Sequence, residues 1–310
     1  MISFDISMLR NVKIEDYEEI SVVLKRYPTS RSAYDIVNLM IWGTQFKSQW
    51  TEHNGRLLIY NELWTCILMP LGSYPSPDEL KEIARAFYNA GKCSSISYVD
   101  NEYVAQFGDH LQEFEVVKDL NTADYIYLSE RLAKLSGKKL QKKKNLISQF
   151  LRANGDYEVH DLSPTDGEEC LQFSDEWKEE HPEDKEKGYK YEREAMRRAF
   201  QYFDRLALSG LVIRHNKKII AFSIFSELKE DMAIIHFEKF ARDVKGSAQI
   251  INWETAKHLN KNYQYINREE DMGIPGLRKS KLSYQPLMLL DSYKLKRKKS
   301  EQMAKVNAGV

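Results

Sequence analysis

The polar loop Arg242-Asp243-Val244-Lys245-Gly246-Ser247-Ala248 has residue types suited to binding an anion. It joins a strand pattern to a helix pattern. A glycine and small residues at a helix start let backbone N–H groups approach a phosphate, and the helix dipole and a lysine favour its charge. An ordinary capped helix is the alternative. The residues predicted to hold a phosphate-bearing ligand are Lys245, Gly246, Ser247, Ala248 and Gln249.

A second charged segment, INREEDMGIPGLRKSK, covers residues 266–281 and follows a strand pattern. Its polar first part is predicted to orient an amine ligand or to pair with Arg268. These polar residues are Asn267, Glu269 and Asp271. Its basic second part either faces an anionic ligand or pairs with the acids in a salt-bridge network. These basic residues are Arg278, Lys279 and Lys281.

A lysine-rich segment at residues 138–145 opens another helix pattern. Positive charge in the first turn of a helix opposes the helix dipole, and a bound anion relieves that cost. A solvated basic face is the alternative, and the tail Lys294–Lys299 is interpreted as a frayed terminus. The residues predicted to bind substrate here are Lys143, Lys144 and Asn145.

Hairpin patterns organise both halves of the chain. TEHNGRLLIY contains an Asn54-Gly55 turn, and LVIRHNKKIIAFSIFSEL has apolar runs on both sides of residues 215–218. In each half the hairpin is followed by a strand, a loop, an amphipathic helix and another strand. Ser76 and Pro77 begin the first of these helices. The shared order predicts a duplicated domain, with one copy at residues 1–122 and the other at 123–310.

Composition narrows the function classes. The chain has 310 residues, with 46 Lys plus Arg and 46 Asp plus Glu, so it lacks the net basic charge of a general polyanion binder. Cys66, Cys93 and Cys170 are too far apart for a zinc site or a disulfide framework, and no metal site is predicted. The motifs GxGxxG, GxxxxGK[ST], HExxH and GxSxG are absent. No signal peptide or membrane span is recognisable, which predicts a cytoplasmic protein without stable membrane insertion.

The loop at residues 242–248 resembles the Q/R-x-x-G-x-G/A pattern with which GNAT-type N-acyltransferases hold the pyrophosphate of acyl-CoA. Gly246 and Ala248 fit this pattern, and Asp243 stands where Gln or Arg is usual. Three longer segments extend the resemblance: DYIYLSERLAKLSGKKLQKKKNLISQF, HFEKF and INREEDMGIPGLRKSKLSYQP. Together they resemble a bacterial family that is similar to the C-terminal, cytosolic domain of phosphatidylglycerol lysyltransferase.

This resemblance implies an α+β fold of two tandem GNAT-like domains, each a mixed, mostly antiparallel sheet flanked by helices, as in Fem-type aminoacyl-tRNA-dependent transferases. It also implies transfer of an acyl or aminoacyl group to an amine or hydroxyl of a small-molecule, lipid or peptide acceptor. The implied donor co-substrate is acyl-CoA or aminoacyl-tRNA, so tRNA is an implied partner. No tightly bound cofactor is expected, and the oligomeric state is not predicted.

Acyl transfer needs a base for the nucleophile, a donor for the developing oxyanion and a proton for the leaving group. Glu238 is the predicted base because partial burial in an otherwise apolar strand raises a carboxyl pKa. Strand alternation predicts that His236 shares its face, and Tyr284 is the predicted proton donor. The alternatives are a structural ion pair for Glu238 and simple packing for Tyr284.

Two functions without catalysis stay open beside this one. The first is a degenerate GNAT-like fold that acts as a binding or regulatory module. The second is a non-catalytic RNA-binding protein. Asp243 in the phosphate-type loop and the absence of an unmistakable base are compatible with both.

Overall fold

The computed structural model describes residues 4–92, 95–179 and 186–298, and their fold is α+β with twelve strands. The strands are β1 (Arg10–Asn11), β2 (Ser48–His53), β3 (Arg56–Asn61), β4 (Cys66–Leu68), β5 (Ser95–Val99), β6 (Phe114–Leu128), β7 (Glu158–Asp161), β8 (Ser209–His215), β9 (Lys218–Lys229), β10 (Met232–Phe240), β11 (Tyr265–Asn267) and β12 (Met288–Arg297).

The same described residues contain ten α-helices. They are α1 (Tyr17–Arg26), α2 (Ile36–Trp42), α3 (Pro77–Asn89), α4 (Asn101–Phe107), α5 (Ser129–Lys134), α6 (Gln141–Ala153), α7 (Gly167–Glu179), α8 (Glu186–Gln201), α9 (Ser247–Leu259) and α10 (Pro275–Ser283). The start of α3 follows the sequence prediction, because Pro77 is its first residue and the Ser76 hydroxyl accepts a hydrogen bond from the Glu79 N–H.

The chain divides into two compact units. The first unit comprises the described parts of Met1–Pro28, Trp42–Ala123 and Asp291–Val310. The second unit comprises Thr29–Ile41 and Asp124–Leu290. The sequence interpretation gave each domain one continuous segment, so the assignment of Thr29–Ile41 to the second unit was not predicted.

Each unit has a mixed, mostly antiparallel sheet. In the first unit the strand order is β1-β2-β3-β4-β5-β12, and only β4 and β5 are parallel. In the second unit the order is β6-β11-β10-β9-β8-β7, and only β10 and β11 are parallel. The predicted sheet type is therefore confirmed for each unit.

The two units repeat one order of elements, as the hairpin patterns predicted. The first unit has β2-β3-β4-α3-β5, and the second has β8-β9-β10-α9-β11. Both hairpin turns use left-handed backbone: Asn54 and Gly55 have φ of 50° and 71°, and Asn216 and Lys217 have φ of 51° and 66°. Positive φ at both central turn residues matches the twist of the flanking strands.

The core of the second unit fills the face of its sheet against which α9 packs. Ile250, Ile251 and Leu259 of α9 share a buried cluster with Phe225 and Ile235 of the strands. Helices α5 and α6 add further apolar side chains to this cluster. The burial of these apolar side chains fixes α9 against the sheet, and with it the polar loop at residues 242–248.

The basic tail is not a frayed terminus over residues 294–297. These residues belong to β12, in which Leu295 is paired with Ile96 and buried. Tyr293 is partly buried and packs against the same core cluster as Leu295, and this alternation of apolar and charged residues fits a strand. Lys299 and Cys93 lie outside the described residues.

Candidate functional site

The sheet of the second unit opens beside β10. The parallel ladder between β10 and β11 ends at the pair Ile234–Asn267, where β11 ends. β10 continues to Phe240, and among the described strands none pairs with this edge of its last six residues. The charged segment at residues 268–271 starts at this opening.

A β-bulge in β10 places His236 and Glu238 on opposite faces of the sheet. The ladder to β9 pairs Ile235 with Phe225 and Phe237 with Ile224, which leaves His236 as the extra residue. His236 therefore contacts Ser226 on one face. Glu238 pairs with Ser223, whose hydroxyl meets Thr255 of α9 on the other face. The prediction that the two residues share a face was wrong because strict alternation fails at a bulge.

Glu238 forms an ion pair with Arg268 on the α9 face. Glu238 Oε1 lies 2.9 Å from Arg268 Nη2, and both side chains are largely buried. One terminal amide atom of Asn252 lies 3.3 Å from Glu238 Oε2 and 3.0 Å from Arg268 Nη1, and the arginine contact assigns it as the oxygen. The structural ion pair, the alternative that the sequence left open for Glu238, is present.

Tyr284 and Lys143 complete this group of side chains. The ring of buried Tyr284 lies 4.1 Å from Lys143 Nζ and 5.1 Å from Arg268 Cζ. Burial raises the pKa of Tyr284, and its hydroxyl bonds to the Gln249 side chain. We call Lys143, Glu238, Asn252, Arg268 and Tyr284 the α9-side cluster.

Lys143 is the unusual member of the α9-side cluster. It is half-buried, and its ammonium has no hydrogen-bond or ion-pair partner in the part of the chain that the structure describes. Burial and the positive charge of Arg268 lower its pKa, against the opposing effect of Glu238. The cluster therefore holds two cationic side chains and one carboxylate.

The other predicted substrate residues of the lysine-rich segment do not join this cluster. Lys144 and Asn145 are exposed on α6, and Asn145 accepts a hydrogen bond from Gln141. Lys138, Lys139 and Lys142 are also exposed. The solvated basic face that the sequence left as an alternative therefore describes this segment except at Lys143.

The small residues of the loop at 242–248 serve packing. Gly246 has a φ of 91°, and a Cβ there would lie 2.8 Å from the Leu146 carbonyl oxygen and 2.9 Å from Phe150 Cβ of α6. The Ser247 hydroxyl donates to the Ala241 carbonyl at 2.5 Å, and the Ser247 N–H donates to the Val244 carbonyl. Lys245 is exposed, and Ala248 is half-buried. Anion binding by this loop stays a prediction.

The acids and bases of the 266–281 segment bind one another. Arg278 contacts Asp271 through two atoms, Nε to Oδ2 at 2.6 Å and Nη2 to Oδ1 at 2.9 Å. The Tyr125 hydroxyl and the Gly273 N–H also donate to Asp271. Burial raises the pKa of Asp271, but these hydrogen bonds outweigh it and the net pKa is lowered. Lys279 is exposed.

Lys281 binds backbone carbonyls instead of carboxylates. Its buried ammonium donates to the carbonyls of Arg268 at 2.6 Å, Glu269 at 3.1 Å and Glu270 at 2.5 Å. Burial lowers its pKa to about 8. Lys281 therefore fixes the loop that follows β11. Neither Arg278 nor Lys281 is left over for a phosphate in this arrangement.

A second polar group lies around His236 on the face opposite α9. His236 Nε2 lies 2.8 Å from Ser226 Oγ, and His236 Nδ1 lies 3.2 Å from Asn38 Oδ1 and 3.4 Å from Glu269 Oε1. Asn38 Nδ2 donates to Glu269 Oε1 at 2.8 Å. Asp35 lies behind Asn38 and accepts its N–H. We call Asp35, Asn38, Ser226, His236 and Glu269 the α2-side cluster.

Asp35 is the most deeply buried acid of the α2-side cluster. Burial raises its pKa to about 6, and Glu269 contributes in the same direction. His236 and the N–H of Asn38 oppose that rise. The segment Thr29–Ile41 thus supplies two polar side chains to the second unit, and Asn267 anchors it by donating to the Ser30 carbonyl at 2.8 Å.

Sequence reasoning missed Asp35, Asn38, Ser226 and Asn252. Asp35 and Asn38 are some 200 residues away from His236 along the chain, and no local pattern connects them. A weak signal existed for Ser226, which is a hydroxyl residue in the apolar run AFSIFSEL. Asn252 is a polar residue on the buried side of α9.

The described residues lack two kinds of feature. No helix there combines the length and the hydrophobicity that a membrane span requires. No group of three or more His, Cys, Asp or Glu side chains there is arranged to hold a metal ion.

Comparisons with known proteins give consistent results. The model of the family described as "Phosphatidylglycerol lysyltransferase, C-terminal" matches residues 24–296. A protein of unknown function from Bacteroides thetaiotaomicron is 30% identical, with 94% of this chain and 99% of that chain covered and a TM-score of 0.85. No curated protein matches the chain.

Two more distant structures define the fold. The C-terminal domain of a candidate lysylphosphatidylglycerol synthetase from Agrobacterium fabrum is 17% identical, covers 96% of each chain and has a TM-score of 0.65. FemX is 6% identical, covers 99% of each chain and has a TM-score of 0.59. The predicted likeness to the Fem-type fold is confirmed.

Proposed function

Because the chain belongs to the family of phosphatidylglycerol lysyltransferase C-terminal domains, we propose that it is an aminoacyltransferase. In this proposal an aminoacyl group moves from aminoacyl-tRNA to an amine or hydroxyl acceptor, which is a small molecule, a lipid or a peptide. The family description names a lysyltransferase, so lysyl-tRNA is the first donor to test.

The observation that carries the proposal is the unneutralised cation beside the opening of the sheet. Arg268 follows directly on the last residue of β11, and its guanidinium reaches Glu238. Lys143 adds a second positive charge without an acidic partner among the described residues. A half-buried cation without an anion is costly, and a phosphodiester of the donor would compensate it.

The geometry also bears on the choice between the two donors. The acyl-CoA interpretation relied on a glycine that leaves room for a pyrophosphate at the start of α9. Helix α6 occupies the space next to Gly246, and Ser247 is bonded to Ala241. These contacts supply a packing reason for both small residues. They therefore favour aminoacyl-tRNA over acyl-CoA in the proposal.

The reaction forms a C–N bond and breaks a C–O bond. The acceptor amine attacks the carbonyl carbon of the aminoacyl ester, and the bond to the terminal ribose oxygen breaks. The amine gives up one proton to a base, and the ribose oxygen takes up one. Lys143 or Arg268 can neutralise the charge that develops on the carbonyl oxygen. The catalytic roles of Glu238, His236 and Tyr284 stay predictions at this point.

A transfer assay with two donors tests the proposal. The protein is incubated with lysyl-tRNA carrying labelled lysine, or with labelled acetyl-CoA, and the acceptors are glycinamide, hydroxylamine and phosphatidylglycerol vesicles. We expect labelled product from lysyl-tRNA, with a lower yield for Lys143→Met and an unchanged yield for Lys142→Met. Binding of tRNA without transfer from either donor would support the non-catalytic RNA-binding alternative instead.

A further inference from the structure

We propose that Glu269 is the catalytic base for the acceptor amine, with Asn38 and His236 as its positioning residues. This inference rests on the proposed aminoacyl transfer. It replaces Glu238, whose carboxylate is bound to Arg268, and it gives a positioning role to Asn38, which the sequence did not indicate.

Glu269 is the acid of the α2-side cluster that a substrate can reach. Its side chain is 26% exposed, whereas the side chain of His236 is 0% exposed. Asp35 and Ser226 are buried as well. The polar contacts of the Glu269 carboxylate with other described side chains go through Oε1, so Oε2 is available to a ligand.

The backbone of Glu269 is held in a conformation that glutamate seldom adopts. Its φ is 57°, in the left-handed region, which costs about 1–2 kcal/mol for a residue with a Cβ. Its N–H donates to Asn267 Oδ1 at 2.6 Å, and its carbonyl accepts from Lys281 Nζ at 3.1 Å. Strained backbone that several contacts enforce is typical of residues whose placement matters for function.

A chain of hydrogen bonds fixes the direction of the carboxylate. Asn38 Nδ2 donates to Glu269 Oε1, so Asn38 Oδ1 faces His236 and accepts from its Nδ1–H. In the neutral ring, Nε2 then accepts from the Ser226 hydroxyl. The bulge keeps Glu238 out of this chain, because a regular strand would place Glu238 on the same face as His236.

Other titratable groups lie near the α2-side cluster. Asp35 is the second acid, and both burial and the charge of Glu269 raise its pKa. On the adjoining residues, Arg268 and Lys281 supply positive charge, and Glu270 a further acid. In the chain, Glu269 follows directly on Arg268, the arginine of the α9-side cluster.

In this proposal, residues that bind the aminoacyl donor and the base for the acceptor amine both lie at the opening beside β10. Arg268 turns to the α9 face, where Lys143 and Tyr284 lie, and Glu269 turns to the α2 face. Glu269 Oε2 takes the proton from the acceptor amine as its nitrogen attacks the ester carbonyl. The ester oxygen of the ribose leaves and is protonated.

A comparison of two acceptors tests the proposal. Glycinamide needs a base during attack, whereas hydroxylamine is largely unprotonated at neutral pH and needs little help. Glu269→Gln should lower kcat for lysyl transfer to glycinamide by about 100-fold or more, and transfer to hydroxylamine by less than about tenfold. Asn38→Ala should lower kcat for lysyl transfer to glycinamide by about tenfold with an unchanged KM for lysyl-tRNA, because the substitution misplaces the Glu269 carboxylate.

Glu270→Gln is the matched control, because it makes the same charge change one residue away. Its kcat for lysyl transfer should lie within about twofold of that of the wild type. Thermal unfolding of each variant separates loss of function from loss of fold. Equal losses with glycinamide and hydroxylamine, or wild-type rates in Glu269→Gln, would overturn the assignment of the base while leaving the proposed function in place. Absence of lysyl transfer by the wild-type protein to either acceptor would overturn both.

Discussion

His236 and Glu238 are two positions apart on β10 and point to opposite faces of the sheet. The extra residue of the bulge causes this, because Ile235 and Phe237 pair with the adjacent residues Phe225 and Ile224. His236 then joins Ser226 and Asn38, and Glu238 joins Arg268. A single irregularity in one strand thus separates two polar clusters that a regular strand would have merged.

The buried hydrogen bond between Ser226 and His236 yields the first prediction. Ser226→Ala removes the hydroxyl that donates to His236 Nε2 and leaves a buried ring nitrogen without its partner. We expect a loss of about 1–3 kcal/mol in the free energy of unfolding, measured by urea denaturation. Ser148→Ala is the control on exposed α6 and should change stability by less than about 0.5 kcal/mol. Equal effects of both variants would contradict the buried hydrogen bond.

The ion pair of the α9-side cluster yields the second prediction. Glu238→Gln leaves Arg268 largely buried beside Lys143 without a carboxylate, and we expect it to destabilise the protein by about 3–5 kcal/mol. The loss should be smaller in a Lys143→Met background, because one of the two repelling cations is gone. A double-mutant cycle in urea should give a coupling of about 0.5–3 kcal/mol. Strict additivity would show that Lys143 does not interact with the pair.

The packing of the 242–248 loop yields the third prediction. Gly246→Ala places a Cβ against α6 and requires alanine at a φ of 91°. We expect destabilisation by about 2–5 kcal/mol from the backbone and the overpacking together. Gly276→Ala is the control, since no atom lies within 4 Å of its added Cβ and its φ is not positive. Unchanged stability of Gly246→Ala would contradict this packing and would support room for a phosphate beside this glycine.

The buried acid behind Asn38 yields the fourth prediction. Burial raises the folded-state pKa of Asp35 from 3.8 to about 6, so the folded protein binds this proton more tightly than the unfolded chain. The Asp35 contribution to stability is therefore greatest below pH ~4 and is lost as the pH rises to ~6. The free energy of unfolding of the wild type, minus that of Asp35→Asn, should fall by about 2–3 kcal/mol between pH 4 and 7.

The control for the Asp35 measurement is Asp243→Asn, at an exposed loop position of the same unit. Its stability difference from wild type should stay nearly flat over the same pH range. A flat difference for Asp35→Asn as well would mean that this carboxyl titrates normally in the folded protein.

Local signals in the sequence predicted much of the fold. The Asn54-Gly55 turn, the proline and serine at the start of α3, and the apolar run of β10 act over a few residues, and each forms as expected. The bulge at His236 was not predictable, because it depends on the register of β10 against β9. The contribution of Asn38 was not predictable either, because tertiary packing brings it to Glu269.

In the candidate site, too, local sequence features were predictable and contacts set by tertiary packing were not. Residue types and spacing left open whether the basic residues of the segment 266–281 bind an anionic ligand or pair with the acids of the same segment. In the structure, Arg278 binds Asp271 and Lys281 binds three carbonyls. Which side chains meet depends on the directions in which they leave helix α10. Among five clustered lysines, the sequence could not single out Lys143, because its partner Tyr284 is far away along the chain.

Binding of a stable donor analogue tests the central claim most directly. The claim is that Lys143 and Arg268, at the opening beside β10, hold the activated donor. The ligands are 3′-lysylamido-adenosine, which mimics the aminoacylated end of tRNA with an amide, and acetyl-CoA, each titrated calorimetrically into wild type, Lys143→Met and Lys142→Met. We predict that the lysyl analogue binds the wild type and Lys142→Met equally, and Lys143→Met about tenfold more weakly. Equal binding of the analogue by all three proteins, or binding of acetyl-CoA alone, would contradict the claim.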